Sequence, residues 1–377
     1  MKKFKKVLVA NRGEIAIRVM RACKELGIRT VAIYSEEDKN ALFRTKADEA
    51  YKIGIGKSPV DVYLGISEII NLAKAKGVDA IHPGYGFLAE NSDFAKQCAA
   101  NGIEFIGPTG EMMDQLGDKI QSKILAEQVG VQTIPGVKEA IRTNEDAVKF
   151  AEYCGYPVML KAASGGGGRG MRVVREAKDL IPEFNSAQSE SLKAFGSDAV
   201  FIEKYVENPK HIEIQVLGDK YGNVVHMFER DCSIQRRHQK VIEFTPAQTI
   251  SEKLRQSLCE DALKIAGAVN YRSAGTVEFL VDKDENHYFI EMNPRIQVEH
   301  TVTELVTGID IVQAQILIAE GYALDSKEID IPNQDAVQMR GAAIQCRITT
   351  EDPENQFAPD TGKIEFYATG SGNGVRL

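Results

Sequence analysis

Short runs of β-branched and aliphatic residues alternate with longer stretches whose apolar positions recur every three or four residues, the pattern of strands alternating with amphipathic helices. VLVA at 7–10 predicts a strand. In the stretch that follows, Ile15, Val19, Ala22 and Leu26 share one helical face and leave Arg18, Arg21, Lys24 and Glu25 to water. TVAIY at 30–34, DAIH at 79–82 and EFIG at 104–107 predict further strands separated by helical patterns. This N-terminal region therefore predicts repeated βαβ units around a parallel sheet, a Rossmann-like domain. Beyond Pro135, VMLK at 158–161 and MRVVR at 171–175 bracket a glycine run, and FIEKYV at 201–206 follows a helical segment. HIEIQVLGD and VVHMFERD, joined by Lys220-Tyr221-Gly222-Asn223, then predict an antiparallel hairpin. The class passes from α/β to α+β.

The clearest chemistry lies in the hairpin predicted by TVEFLVD at 276–282 and HYFIEMN at 287–293. A turn centred between Asp284 and Glu285 sets Val281 opposite Tyr288, Leu280 opposite Phe289 and Glu278 opposite Glu291. Like charges directly opposite each other are destabilising unless something neutralises them, and a divalent cation does so while bridging nucleotide phosphates. Asn293 shares their face, so two carboxylates and an amide oxygen, with phosphate and water, can make the oxygen shell of Mg²⁺. The same parity continues through Arg295, Gln297 and Glu299, and Pro294 forbids regular pairing there, which predicts an active-site loop. A cation beside a carboxylate can hold a small anion and deprotonate it.

Ser164-Gly165-Gly166-Gly167-Gly168-Arg169-Gly170 satisfies a dinucleotide-type pattern, but a strand rather than a helix follows. A Walker loop is also excluded, because the closing Lys-Ser/Thr is missing. Strand, glycines, strand predicts a hairpin lid whose backbone N–H groups approach phosphate, with Lys161 adding charge; a mobile surface loop is the alternative reading of the run on its own. The first βα turn, Asn11-Arg12-Gly13-Glu14, lacks the three-glycine fingerprint, so the Rossmann shape alone does not imply NAD. Arg230, Arg236, Arg237, His238 and Lys240 concentrate positive charge locally and predict an anion site, with a solvated basic loop as the alternative. His82 and His300 are expected to be structural.

Composition narrows the classes. The 377 residues are 43% hydrophobic and 27% charged, ordinary for a globular chain. With 46 Lys+Arg against 54 Asp+Glu the formal net charge is -8, which argues against a dedicated nucleic-acid binder. Lys2, Lys3, Lys5 and Lys6 imitate the start of a signal peptide, but the apolar run after them is too short. No apolar stretch approaches the ~20 residues of a membrane span. The six cysteines have no C-x-x-C pair and are expected to be reduced thiols in a cytoplasmic protein.

NRGEIAIR at 11–18, HPGYGFLAEN at 82–91, GDK at 117–119, KAASGGGGRGMR at 161–172, ERDCSIQRRHQK at 229–240 and EMNPRIQVEHTVTE at 291–304 together resemble the biotin carboxylase component of biotin-dependent carboxylases. This family is a branch of the ATP-grasp superfamily, and the likeness spans essentially the whole chain. AIQCRITTEDPENQFAPDTGKI at 343–364 is similar to the pyruvate carboxylase version, more than to the separate acetyl-CoA carboxylase subunit. The resemblance implies a Rossmann-like domain at 1–115, an ATP-grasp domain at 116–330 with a lid at about 135–205, and a C-terminal domain from 331 that is shortened at 377.

It also implies an ATP site of Lys119, Lys161, Gly167, Gly168, the hinge Glu203, Lys204, Tyr205 and Val206, and His211, Gln235, His238, Glu278, Leu280 and Glu291. Mg²⁺ or Mn²⁺ would sit on Glu278, Glu291 and Asn293, and bicarbonate on Lys240, Arg295, Gln297 and Val298, with Glu299 as general base. Arg347 would contact biotin and stabilise its enolate. The implied activity is a ligase: carboxyphosphate forms from ATP and bicarbonate, and its CO₂ passes to biotin. Because no Met-Lys-Met biotinylation motif or carboxyltransferase segment occurs, biotin and the second half-reaction are expected on other domains or chains. A homodimer contact is expected to be weakened by the shortened C-terminal domain and by Asn373, which replaces an aromatic residue there; Glu243-Phe244-Thr245-Pro246 also departs from the commoner Ala-Pro wording. Competing readings are another carboxyphosphate ligase, such as the large chain of carbamoyl-phosphate synthetase, and a nucleotide-binding fragment without activity.

Overall fold

The computed structural model describes residues 2–137, 140–162, 171–195, 199–236, 239–360, 362 and 364–377, leaving aside the side chains of 119, 120, 162, 171, 190 and 193–195. β1 (Lys6–Val9), β2 (Arg29–Tyr34), β3 (Glu49–Lys52), β4 (Ala80–His82) and β5 (Glu104–Phe105) form a parallel sheet in the order β3-β2-β1-β4-β5. Val7, Leu8 and Val9 are completely buried, which explains why β1 reads as an apolar run rather than an alternating one. β3 went unrecognised in the sequence because EAYK lacks an apolar pattern; it is an edge strand held by β2 in register from Val31–Glu49 to Tyr34–Lys52.

The strand order reverses between β1 and β4, where an open α/β sheet usually holds its ligand. Here the Asn11 side chain closes the crevice, its Nδ2 donating to the carbonyls of Pro83 (2.6 Å) and Tyr85 (2.8 Å). Gly84 permits this approach: its φ is +65°, and a Cβ there would stand 2.9 Å from Asn11 Nδ2. The loop after β4 is thereby turned toward a neighbouring cavity.

Helix Gly13–Glu25 buries Ile15, Val19 and Ala22 and exposes Arg21, Lys24 and Glu25, as its periodicity predicts. Arg18 is the correction. It is buried, with Nη2 donating to Glu304 (2.7 Å) and Asp310 (2.6 Å), because the back of this helix packs against helix Ile311–Glu320 instead of water. Ile15, Val19, Ile311, Val312 and Ile316 belong to one hydrophobic cluster.

β6 (Val158–Ala162), β7 (Met171–Val174) and β8 (Val200–Lys204) make a small antiparallel sheet, ordered β7-β6-β8, with its own apolar cluster around Leu160, Phe184 and Ile202. β9 (Lys210–Gly218), β10 (Val224–Arg236), β11 (Gln239–Thr245), β12 (Ser273–Val281), β13 (His287–Asn293) and β14 (Ala343–Cys346) form a larger antiparallel sheet in the order β13-β12-β9-β10-β11-β14. Ile212, Ile214, Val277, Phe279 and Phe289 bury against Leu258 and Ile265 of helix Glu252–Ala268.

Glu278 does pair with Glu291, yet the register nearer the turn differs from expectation by one residue: Val281 faces His287 and Leu280 faces Tyr288. Asp282 sets that turn, its Oδ1 accepting from the N–H groups of Asp284 and Asn286 at 2.9 Å each. An irregularity between Glu278 and Phe279 then absorbs Ile290 and restores the Glu278–Glu291 pairing. No single described helix is long and apolar enough to cross a membrane.

Candidate active site

A cavity of about 900 Å³ opens beside the large sheet, lined by residues of β9 to β13, by Tyr85 and Gly86 after β4, and by the segment after β14. Lys240, early in β11, is its electrostatic centre. Its Nζ donates to Glu213 (2.5 Å), Glu278 (3.0 Å) and Glu299 (2.9 Å), all of them buried. Burial disfavours the ammonium, but the three carboxylates outweigh this and raise its pKa above that of an ordinary lysine. Lys240 is therefore a fixed cation and not a base.

Burial works against a charged Glu278 as well. The hydrogen bond from His211 Nε2 (2.6 Å) and the charge of Lys240 nevertheless hold its carboxyl well below the usual range. Gln235 Nε2 lies 3.1 Å from His211 Nδ1 and fixes the ring. Glu299 immediately precedes helix His300–Thr307, makes no side-chain cap to it, and is bracketed by cations, Lys240 on one oxygen and Arg347 Nη2 (3.0 Å) on the other. Arg347 Nε donates to Glu243 at 2.6 Å. Arg295 donates to Asn293 Oδ1 (3.0 Å) and lies 3.1 Å from Glu90. Gln297 donates to Glu278 (3.0 Å), and Val298 lies on the same wall.

Residues 294–299 are not extended, since Arg295 N–H donates back to Asn293 and His300 N–H to Gln297. Arg295, Gln297 and Glu299 still reach the cavity together. The expected basic cluster divides instead of acting as one anion site. Arg230 is fully buried and spends its guanidinium on Glu213 (2.5 Å), Gln215 (2.7 Å), Thr303 (3.0 Å), Gln297 (3.1 Å) and Thr276 (3.2 Å), so no donor remains for a substrate. The long β10–β11 hairpin carries Arg230 into the core while its far end brings Arg236 and Lys240 to the cavity; Arg236 pairs there with Glu351.

Of the expected nucleotide contacts, His211, Gln235, Glu278 and Glu291 line the cavity, and Leu280 is two residues along β12 from Glu278, opposite His211 on β9. Lys161 and Glu203 pair with each other on the small sheet. Lys204 donates to the carbonyls of Gly155 and Tyr156 at 2.9 Å, and Tyr205 N–H to Pro157; with Val206, these five stand apart from the lining. Gly167, Gly168, Arg237, His238 and the side chain of Lys119 lie outside the described residues. His82 and His300 are buried, which pushes them down to about 3 and about 4. Sequence reasoning missed Glu213, Glu243 and Tyr85. Glu213 and Glu243 had the same signal as Glu278, a carboxylate between apolar residues of one strand: Ile212 and Ile214 for the first, Ile242 and Phe244 for the second.

The donor chemistry fits a hard divalent cation. Glu278 and Glu291 face each other across β12–β13, and Asn293 donates its amide N–H to Glu278 at 2.9 Å, so rotation of that amide would present its oxygen instead. Two other close ligand groups, His211–Glu213–Glu278 and Glu213–Cys232–Glu299, already carry the Lys240 ammonium against their carboxylates, which does the work of a cation there.

Residues 3–113 match the family described as biotin carboxylase, N-terminal domain, and residues 118–327 that described as carbamoyl-phosphate synthase L chain, ATP binding domain. The pyruvate carboxylase of Bacillus subtilis (strain 168) is 58% identical over 374 residues, 99% of this chain and 32% of that protein. The chain thus spans about a third of the length of the curated relatives it matches. The biotin carboxylase domain of a thermophilic 2-oxoglutarate carboxylase bound to bicarbonate superposes with a TM-score of 0.91 at 50% identity, covering 98% of this chain and 80% of that one. A dimer of the Hydrogenobacter thermophilus 2-oxoglutarate carboxylase biotin carboxylase domain, in complex with MgADP, ADP and bicarbonate, gives 0.86 at 51%, with 99% and 80% covered. Parallel sheet, small sheet and cavity-bearing sheet are thus matched along essentially the whole chain, and the chain belongs to the biotin carboxylase family of ATP-grasp proteins.

Proposed function

We propose that this chain carboxylates biotin, held on a carrier domain, at the expense of ATP and bicarbonate. The observation that carries this reading is the bracketing of Glu299 by Lys240 and Arg347 on the cavity wall that also holds Arg295 and Gln297. Bicarbonate resting on Arg295, Gln297, Val298 and Lys240 would give its proton to Glu299, and the oxyanion would attack the γ-phosphate of ATP as ADP leaves. Carboxyphosphate then yields CO₂ and phosphate. That phosphate takes the proton from the biotin ureido nitrogen, and Arg347 steadies the resulting enolate while the N–C bond to CO₂ forms. Glu278, Glu291 and Asn293 would hold Mg²⁺ or Mn²⁺, which supplies charge neutralisation at the nucleotide phosphates.

The nucleotide would also contact His211, Gln235 and Leu280, the hinge Glu203, Lys204, Tyr205 and Val206, and Lys119, Lys161, Gly167, Gly168 and His238. The proposed division of the chain is 1–115, 116–330 and 331 onward. Its similarity to pyruvate carboxylases supports placing it in a longer protein or assembly that carries a biotin carrier and a carboxyltransferase and accepts pyruvate.

Phosphate release from MgATP with bicarbonate, measured with and without free biotin, tests the chemistry. Biotin-stimulated release that Glu299→Gln lowers about 10²–10⁴-fold is expected. Measurable ATP binding without biotin stimulation would sink the reading. In the longer protein pyruvate should be the acceptor; turnover of 2-oxoglutarate instead would refute that part alone.

A further inference from the structure

Glu299 occupies the position before helix His300–Thr307 from which a side chain often folds back onto the helix's first N–H groups and fixes how the chain enters it. Here it does not: its two oxygens go to Lys240 (2.9 Å) and Arg347 (3.0 Å) at the cavity. The junction of loop and helix is closed by the next residue instead. His300 donates from Nδ1 to the Gln297 carbonyl at 2.7 Å, and its backbone N–H points to the same oxygen at 3.3 Å.

A carbonyl oxygen can only accept, so this contact assigns the proton of the neutral imidazole to Nδ1. Nε2 is left as a lone pair, 4.0 Å from Glu304 Oε2 and without a hydrogen-bond partner among the described residues. Burial keeps the ring neutral, pushing its pKa down to about 4. Gln297 is thereby held at both ends. Its side chain donates to Glu278 (3.0 Å) and accepts from Arg230 (3.1 Å), while its carbonyl takes the His300 donors. Glu299 stands two residues on, so this anchor sets the backbone from which its carboxylate projects.

We propose that His300 is a positioning residue for the carboxylation reaction: its Nδ1–H on the Gln297 carbonyl fixes the entry of the loop into the helix, and so leaves the Glu299 carboxylate to Lys240, Arg347 and the substrate in the cavity. Without that bond the loop is released from the helix, and the base loses its fixed place between the two cations. This deepens the carboxylation reading above and rests on it.

The test compares His300→Asn with His300→Gln in the same chain, with MgATP, bicarbonate and free biotin. The Asn amide nitrogen stands where Nδ1 stands and can still donate to Gln297; the Gln amide nitrogen stands where Nε2 stands and cannot. The smaller Asn fills the buried space less well, so a packing role alone would leave it no better than Gln. The expected kcat for biotin-dependent phosphate release falls about tenfold or more in His300→Gln and less than about threefold in His300→Asn, while KM for MgATP moves less than about twofold in both, because His211 and Gln235 are untouched. His300→Asn no better than His300→Gln, or a rise in KM for MgATP that matches the fall in kcat, overturns the proposal and leaves the carboxylation reading standing. No biotin stimulation in the unmodified chain would refute that reading itself. The contact is read without turnover by ¹⁵N NMR of the histidine-labelled chain, where the signals that His300→Asn removes should report a neutral ring protonated at Nδ1. A proton on Nε2, or on both nitrogens, overturns the proposal.

Discussion

Arg230 and Lys240 belong to the same short stretch of sequence and have opposite fates. Arg230 is sealed in the core against Glu213, where its value is that it leaves no buried carboxylate uncompensated. Breaking a buried pair by removing one partner costs about 3–5 kcal/mol, so Arg230→Met is expected to lower stability by that amount in urea denaturation. A loss below about 1 kcal/mol would show that Lys240 alone satisfies Glu213. At this scale much of the site is legible: Glu278 stands out because it interrupts aliphatic neighbours, and Glu291, Asn293, Arg295, Gln297 and Glu299 because they recur at alternate positions. Glu243 carries the same mark, between Ile242 and Phe244, but its partner was not legible. A carboxylate in a strand has no local mark that tells an Arg347 partner from water, and the two are 104 residues apart.

Among the elements, the six-stranded sheet does the most positioning. β9 lies at its middle, between β10 and β12, and contributes His211 and Glu213. Gly218 ends it where Tyr271 crosses: a Cβ there would meet the Tyr271 carbonyl oxygen at 2.0 Å. Gly218→Ala must push that backbone aside, and the expected cost is about 1–3 kcal/mol by urea denaturation, with spectroscopic signs of disturbance at β9 and β12. A neutral result would mean the loop at Tyr271 yields freely. The β12–β13 hairpin shows how far pattern alone reaches. Its existence and its Glu278–Glu291 pair follow from alternation, whereas the absorbed Ile290 depends on how Asp282 closes the turn.

For the whole molecule, the N-terminal sheet has one core of its own, around Leu8, Ile33, Tyr63 and Phe94, and shares a second with the later chain. The Ile15 face of helix Gly13–Glu25 shares one cluster with Leu217, Ala274 and Ile316 of the later chain. His82 and His300 are buried on the two sides of this union, 0% and 1% exposed, and held neutral at about 3 and about 4. Their folded values lie below the ordinary 6.5, so below pH 6.5 the unfolded chain binds protons that the folded chain refuses. Stability should therefore fall as pH drops from 6.5 toward those folded values, by about 2 kcal/mol per histidine between pH 6.5 and 5. Urea midpoints across that range check this, and His300→Gln should flatten the slope. A midpoint independent of pH would mean that one or both histidines are accessible to protons.

Periodicity and side-chain chemistry are properties of a local stretch. They determined by themselves that the chain begins as βαβ, turns antiparallel, and carries an acidic hairpin followed by a polar loop suited to a cation and a small anion. Its motifs placed it beside the biotin carboxylases. Only the tertiary structure decided which charges meet: that Arg18 and Arg230 are buried, that Lys240 serves three carboxylates, and that Arg347 is shared between Glu243 and Glu299. The physical reason is that a charge takes its value from what stands within a few ångströms and from how much water is excluded, and both are set by strands distant in sequence.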